Sequence, residues 1–166
     1  MYRTTLMLLK PTMKQQAALT LMLSLHCDLY NAALEARQGA WKWEKRRITK
    51  FDQFKQLAGW GHSILDFGVT PAQGTLSRLD KAFNGFFRRL KSGQKPGYPR
   101  FKPKSRFDSV EYPSRASWKI KNNRLYLQGI GHIRLHHSKR GVMGTPRTLI
   151  VKRDGRRWRV AVVCIV

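Results

Sequence analysis

Lys95-Pro-Gly-Tyr-Pro-Arg-Phe-Lys-Pro-Lys-Ser-Arg106 divides the chain in two. Upstream of it apolar residues recur at helical spacing, and downstream the period drops to two, as in strands. Within it, prolines at 96, 99 and 103 hold the backbone extended. Each fixes its own φ and pushes the preceding residue out of the helical region. On such a backbone Arg100, Lys102, Lys104 and Arg106 can follow a phosphate chain. Tyr98 and Phe101 can stack on bases or pin the arm to a core. From Gly85 to Arg106 there are eight cations, among them Arg88, Lys91 and Lys95, and no acid.

The rest of the composition points the same way. Lys and Arg number 33 against 9 Asp and Glu, a formal charge of +24. Self-repulsion makes that excess costly to keep, so a polyanionic partner is expected, nucleic acid first. An anionic membrane fits less well, because no basic amphipathic helix with a Trp/Leu face stands out. Cys27 and Cys164 fit no C-x-x-C pattern and read as free buried thiols in a reducing cytosol. No apolar run reaches membrane-spanning length, and the N-terminus lacks a signal-peptide layout.

Residues 2–10 suit a strand with apolar groups on both faces, and hence partial burial on both sides. Thr12 and Gln15 form a capping box, behind which Ala18, Met22, Leu25, Leu29 and Ala33 make a helical stripe widened by Leu19, Leu23 and Tyr30. Gly39 is expected to end that helix. Trp41, Trp43 and Trp60 then lie among Lys42, Lys45, Arg46, Arg47 and Lys50, either tucked onto the helices or free to stack on nucleic acid. A short helix is expected from a Thr49 cap. A third starts at Thr70-Pro-Ala-Gln73, read as a cap with proline at the first helical position and Gln73 closing the box. Its apolar face is Leu76, Leu79, Phe83, Phe86, Phe87 and Leu90. Arg78, Lys81, Arg88 and Lys91 fall opposite and read as a binding face. Gly74 and Gly85 are unfavourable inside a helix, which close approach of another backbone would explain.

Past the arm, residues 109–112 and 132–135 read as strands. Residues 118–127 form a hairpin across Asn122-Asn123, and 148–153 with 157–166 another across Asp154-Gly155. The first strand has no local partner, so it is expected to pair with the last ones in an antiparallel barrel of six or seven strands. The acids do not make a metal centre by spacing: Asp108 and Glu111 sit on opposite faces of a short strand. His26, His62, His132, His136 and His137 lack zinc spacing with either cysteine. These residues read as a chain that binds and does not cut.

The order of these signals resembles the N-terminal half of TnpB, the OrfB-type transposon-encoded RNA-guided endonucleases. The matching residues are Pro11-Thr12, Tyr30-Asn31-Ala32-Ala33-Leu34, and Gln73 with Leu76, Leu79, Ala82-Phe83 and Phe86-Phe87-Arg88. They continue through Gly97-Tyr98-Pro99-Arg100-Phe101-Lys102, Arg124-Leu125-Tyr126-Leu127 and Gly131-His132-Ile133-Arg134.

The resemblance implies an α+β fold: a small antiparallel wedge-type (OB-like) β-barrel with an inserted helical recognition domain. Residues 1–10 would be the first barrel strand, 11–94 the inserted helical domain, and 95–166 the basic arm and remaining strands. The implied partners are transposon-end guide RNA and DNA, in the cytoplasm of a bacterial or archaeal cell, near the nucleoid. By position, Gln73 with Thr70, Gly74 and Thr75 is implied as the reader of a short DNA motif, a role that competes with capping. The full nucleic-acid-binding set expected is Lys50, Thr70, Gln73, Thr75, Arg78, Lys81, Arg88, Lys91, Lys95, Tyr98, Arg100, Phe101, Lys102, Lys104 and Arg106. The family's RuvC-like nuclease has no match in this sequence, so no cofactor is expected here and Mg²⁺ only with that domain. Two other readings stay open: an active nuclease using Asp108, and an unrelated basic RNA-binder of ribosomal type.

Overall fold

The computed structural model describes residues 1–60, 62–136 and 141–166. Strand β1 (Tyr2–Lys10) is followed by helices α1 (Met13–Glu44), α2 (Lys50–Gln56), α3 (His62–Leu65) and α4 (Val69–Lys91). After the arm come β2 (Ser109–Tyr112), β3 (Trp118–Lys121), β4 (Arg124–Leu127), β5 (Gly131–Leu135), β6 (Thr145–Asp154) and β7 (Arg157–Ile165). The strands make one seven-stranded antiparallel sheet in the order β2-β6-β7-β1-β5-β4-β3. Its ladders leave β2 and β3 as open edges.

As expected, β1 pairs with the end of the chain, from Tyr2 opposite Ile165 to Leu9 opposite Trp158. On its other side Leu9 faces Leu135 of β5. The expected partial burial on both faces holds only toward the end of β1, where Leu8 is half-buried on the face opposite Met7 and Leu9. Met7 and Leu9 are buried, whereas Tyr2 and Leu6 on the alternate face are 74% and 69% exposed. Strand period two puts the first pair into the core, and the second pair meets no packed layer. Asn122 and Asn123 take φ of 51° and 59°, the left-handed pair that the β3–β4 turn needs. The β6–β7 turn falls one residue later than expected. Asp154 still pairs with Arg157, and Gly155 at φ 62° makes the first turn position.

Three helix boundaries follow from local chemistry, one as read and two not. The Thr12 hydroxyl accepts from Gln15 N–H at 3.2 Å, and Gln15 Oε1 accepts from Thr12 N–H at 3.0 Å. α1 does not end at Gly39. It runs to Glu44 and closes on Lys45 at φ 51°, whose N–H reaches the Ala40 and Trp41 carbonyls. A glycine with helical φ is only a weak point, and the hydrogen bonds on either side carry the helix through it. α4 starts at Val69, with Gly68 at φ 109° as its cap and no side-chain cap bond. Thr70 and Gln73 therefore form no box, because only glycine supplies that backbone angle. A Cβ there would also collide with Ser117.

Helices and sheet share one core. Leu19, Met22 and Leu23 of α1 and Leu76 and Leu79 of α4 belong to the same buried cluster as Val110, Tyr112, Leu149, Val160 and Val162. Gly74 explains how closely α4 approaches: a Cβ would collide with the Glu111 carbonyl of β2. Close backbone approach, expected at both helix glycines, holds at Gly74 only. At Gly85 the nearest group is the Arg89 side chain, at 3.2 Å.

Candidate nucleic-acid interface

Three anchors fix the extended arm. Arg89 Nε donates to the Pro96 carbonyl at 2.7 Å. Tyr98 sets its ring edge-on against Phe83 and Phe86, with centroids 5.6 and 5.1 Å away. Asn31 of α1 then takes both main-chain groups of Lys102, accepting from its N–H at 2.9 Å and donating to its carbonyl at 2.8 Å. Pro99 is buried between these anchors, and buried Phe107 closes the far end. Of the two open readings of the arm's aromatics, Tyr98 pins it, while Phe101 stays 52% exposed.

Pinning the backbone turns Lys95, Arg100, Lys104 and Arg106 outward. Lys104 meets Asp28 at 3.6 Å, an exposed pair of small energetic worth. Lys102 is exposed too, but its ammonium folds back to lie 4.8 Å over the Tyr30 ring. Desolvation, then the nearby Arg78 charge, lowers its pKa.

On α4, Lys81, Arg88 and Lys91 are exposed as the helical wheel requires. Two members of the expected set are corrected. Thr75 is completely buried and shares a 2.6 Å hydrogen bond with His26 Nδ1, so its side chain is closed to any ligand on the surface. Arg78 turns into the α4–β2 seam, where Nη1 donates to the Ser109 carbonyl at 2.8 Å and Nε lies 3.5 Å from Glu111. Arg78 departs from the wheel because β2 covers that side of α4, whereas Thr75, named by the resemblance alone, is closed off against His26 of α1. Thr70 and Gln73 are half-buried, and Gln73 is free of capping duty. Fifteen residues separate Gln73 from Arg88, about 22 Å along a helix, so they are two ends of a long surface. Lys50 is on α2, beside the second half of α4, with its ammonium 5.3 Å over Phe51.

Asp108 and Glu111 form no joint site. Asp108 pairs with Lys152 at 3.9 Å, and Glu111 with Arg78. Among the described residues no three His, Cys, Asp or Glu side chains gather as a metal site. His137 lies outside the described residues. Nor are the tryptophans tucked in: Trp41 is 54% and Trp43 78% exposed.

One cationic surface went unread. In the β3–β4–β5 register Lys121 faces Arg124, which faces Arg134, and in the next row Lys119 faces Tyr126, which faces His132. Like charges directly opposite on a sheet repel, and no acid stands between these. Tyr126 and His132 add a flat pair with ring centroids 5.1 Å apart. Strand alternation carried the signal, but the six residues are scattered over three strands and only the register unites them.

The architecture is that of a Cas12f1 chain seen by cryo-EM in its complex with sgRNA and target DNA. The match has a TM-score of 0.55 at 14% identity, over 100% of this chain and 48% of that one. By sequence, the chain is 28% identical over 93% of its length to a Streptomyces pristinaespiralis protein named "Putative RNA-guided DNA endonuclease". It is 27% identical over 60% of its length to one from Escherichia coli (strain K12) named "Putative RNA-guided DNA endonuclease InsQ". In sequence the chain is TnpB-like, similar to both of these proteins. It spans 39% of the Streptomyces relative and 23% of the Escherichia coli one. No family model matches it. Among the described residues no helix is long and apolar enough to cross a membrane.

Proposed function

We propose that this chain is the nucleic-acid-binding part of a TnpB-like, transposase-associated protein, holding a guide RNA and meeting target DNA. The observation that carries the reading is the pinned arm. Asn31, Tyr98 and Arg89 fix its backbone so that Arg100, Phe101, Lys104 and Arg106 stand outward. A row of cations on a pinned, extended backbone suits phosphates, since little chain entropy is then lost on binding. Lys81, Arg88 and Lys91 extend the row along α4. Lys95 lies between the two, and the β3–β5 cations form a second surface.

In this reading the sheet is a wedge-type barrel, and residues 11–94 are the helical recognition domain inserted into it. Gln73 and Thr70, half-buried at the start of α4, read the DNA motif, without Thr75. Metal-dependent cutting belongs to segments of the longer relatives that these residues do not match. RNA and DNA are the partners, by analogy with the sgRNA and target DNA of the Cas12f1 complex.

The test is binding of structured RNA and of duplex DNA across a salt series. About six to ten phosphate contacts would weaken binding by roughly 10³–10⁵ between 50 and 200 mM salt. Replacing Arg100, Lys104 and Arg106 with alanine should lower affinity for all sequences alike, whereas Gln73→Ala should change sequence preference. Salt-insensitive binding, or none, rejects the proposal.

A further inference from the structure

The apolar stripe of α4 is buried only along its first half. Beyond Phe83 it opens into a groove of ≈ 720 Å³ between the end of α1, the start of α2 and the arm. Phe83, Phe86 and Tyr98 form the floor, and Trp41, Phe51 and Phe87 the walls. The wall rings are exposed by 54%, 63% and 36%. Apolar surface concentrated in this way marks an interaction site.

Charge decides what fits. Arg46, Arg47 and Lys50 stand around the groove, with the Arg47 guanidinium 4.5 Å over Phe87. The nearby acids are already engaged. Asp80 holds Arg37 at 3.1 Å, Glu44 holds Arg46 at 3.1 Å, and Asp52 caps α2 through Thr49. A second copy would bring another +24 against this one and is repelled. Flat rings with cations laid across their faces match a ligand that is itself planar and anionic.

We infer that this groove holds unpaired nucleotides. Their bases stack on Trp41, Phe51 or Phe87, and their phosphates meet Arg46, Arg47 and Lys50. The inference rests on the nucleic-acid reading above and adds a separate subsite with its own ligand form, since only an unpaired base offers a free face to a ring. Base and phosphate are common to RNA and DNA, so both are tried.

The experiment uses the full chain and short single strands containing 2-aminopurine, one RNA and one DNA, beside a duplex of the same sequence. With the wild type, binding of a single strand should quench the fluorescent base. The double variant Trp41→Ala/Phe51→Ala, whose rings lie outside the core, should lose the quenching and weaken single-strand affinity about tenfold or more. Its duplex affinity should be unchanged. Quenching of the RNA alone, or of both, names the backbone accepted. Single-strand binding without quenching overturns the subsite and leaves the nucleic-acid function standing. So does equal affinity of variant and wild type, or an equal loss on duplex and single strand. A dimer abolished by the variant while oligonucleotide binding persists assigns the groove to a second copy instead. A wild type that binds no nucleic acid overturns both readings.

Discussion

Asn31 and Lys102, 71 positions apart, are joined like facing residues of a β-ladder, with a side-chain amide standing in for the second strand. The Cys27 thiol donates to the same Lys102 carbonyl at 3.3 Å. This explains how the arm stays extended between α4 and β2 without a ladder partner. Asn31→Ala removes both bonds, at a cost of roughly 1–2 kcal/mol. Trypsin should then cut after Arg100 and Lys104 several times faster, with the helical circular dichroism intact; Lys102, followed by Pro103, is not a trypsin site. Unchanged cleavage would show that the clamp does not hold the arm.

Two helix glycines should respond in opposite directions to the same change. Gly39→Ala meets open space in the last two turns of α1 and should raise stability by about 0.5–1 kcal/mol. Gly74→Ala gains the same propensity but drives a methyl group into the Glu111 carbonyl, so α4 must move off β2. Its melting temperature should fall. A rise would mean that the α4–β2 seam yields easily.

His26 makes stability depend on pH. Burial, and second the Arg78 charge, push its pKa from 6.5 down to about 3. The unfolded chain takes up a proton below 6.5 while the folded one refuses it. Stability is therefore fully present above the unfolded value and falls with pH down to about 3, by about 1.4 kcal/mol per pH unit. Urea unfolding from pH 7 to pH 4 should show a shallower slope in His26→Gln, whose amide can still bond Thr75 but does not titrate. Equal slopes would place the dependence elsewhere.

Arg78 and Arg88 lie ten residues apart on α4 and should separate cleanly. Arg78→Ala leaves Glu111 and the Ser109 carbonyl without their partner and should lower stability by roughly 1–3 kcal/mol. Arg88→Ala, on an exposed side chain, should change stability within about 0.5 kcal/mol. In the proposed function it should also weaken nucleic-acid binding and reduce the salt slope by about one. The reverse pattern would exchange their roles.

What could be read from residues alone was whatever has a local cause. The Thr12–Gln15 box, the Thr49 cap, the Asn122-Asn123 turn and the closure of β1 on β7 all follow from short-range chemistry or from elimination of partners. The misreadings arose where a distant segment decides. Ser117 lies against Gly68 at the start of α4, β2 covers Arg78, and His26 of α1 takes Thr75. None of these contacts leaves a trace in the periodicity of α4. The β3–β5 cations were hidden for a similar reason, because register across strands joins what the sequence separates.

The sheet also imposes an order of events on synthesis. β1 leaves the ribosome first and sits between β5 and β7, but its long partner begins at Arg157. At about 5–20 residues per second its β7-facing edge stays bare on the order of ten seconds or more, β5 being able to cover only the Leu9–Lys10 end before then. During that wait α1 through α4 can already pack on one another, so the helices form the early scaffold. The strand made first is among the last to be locked in place.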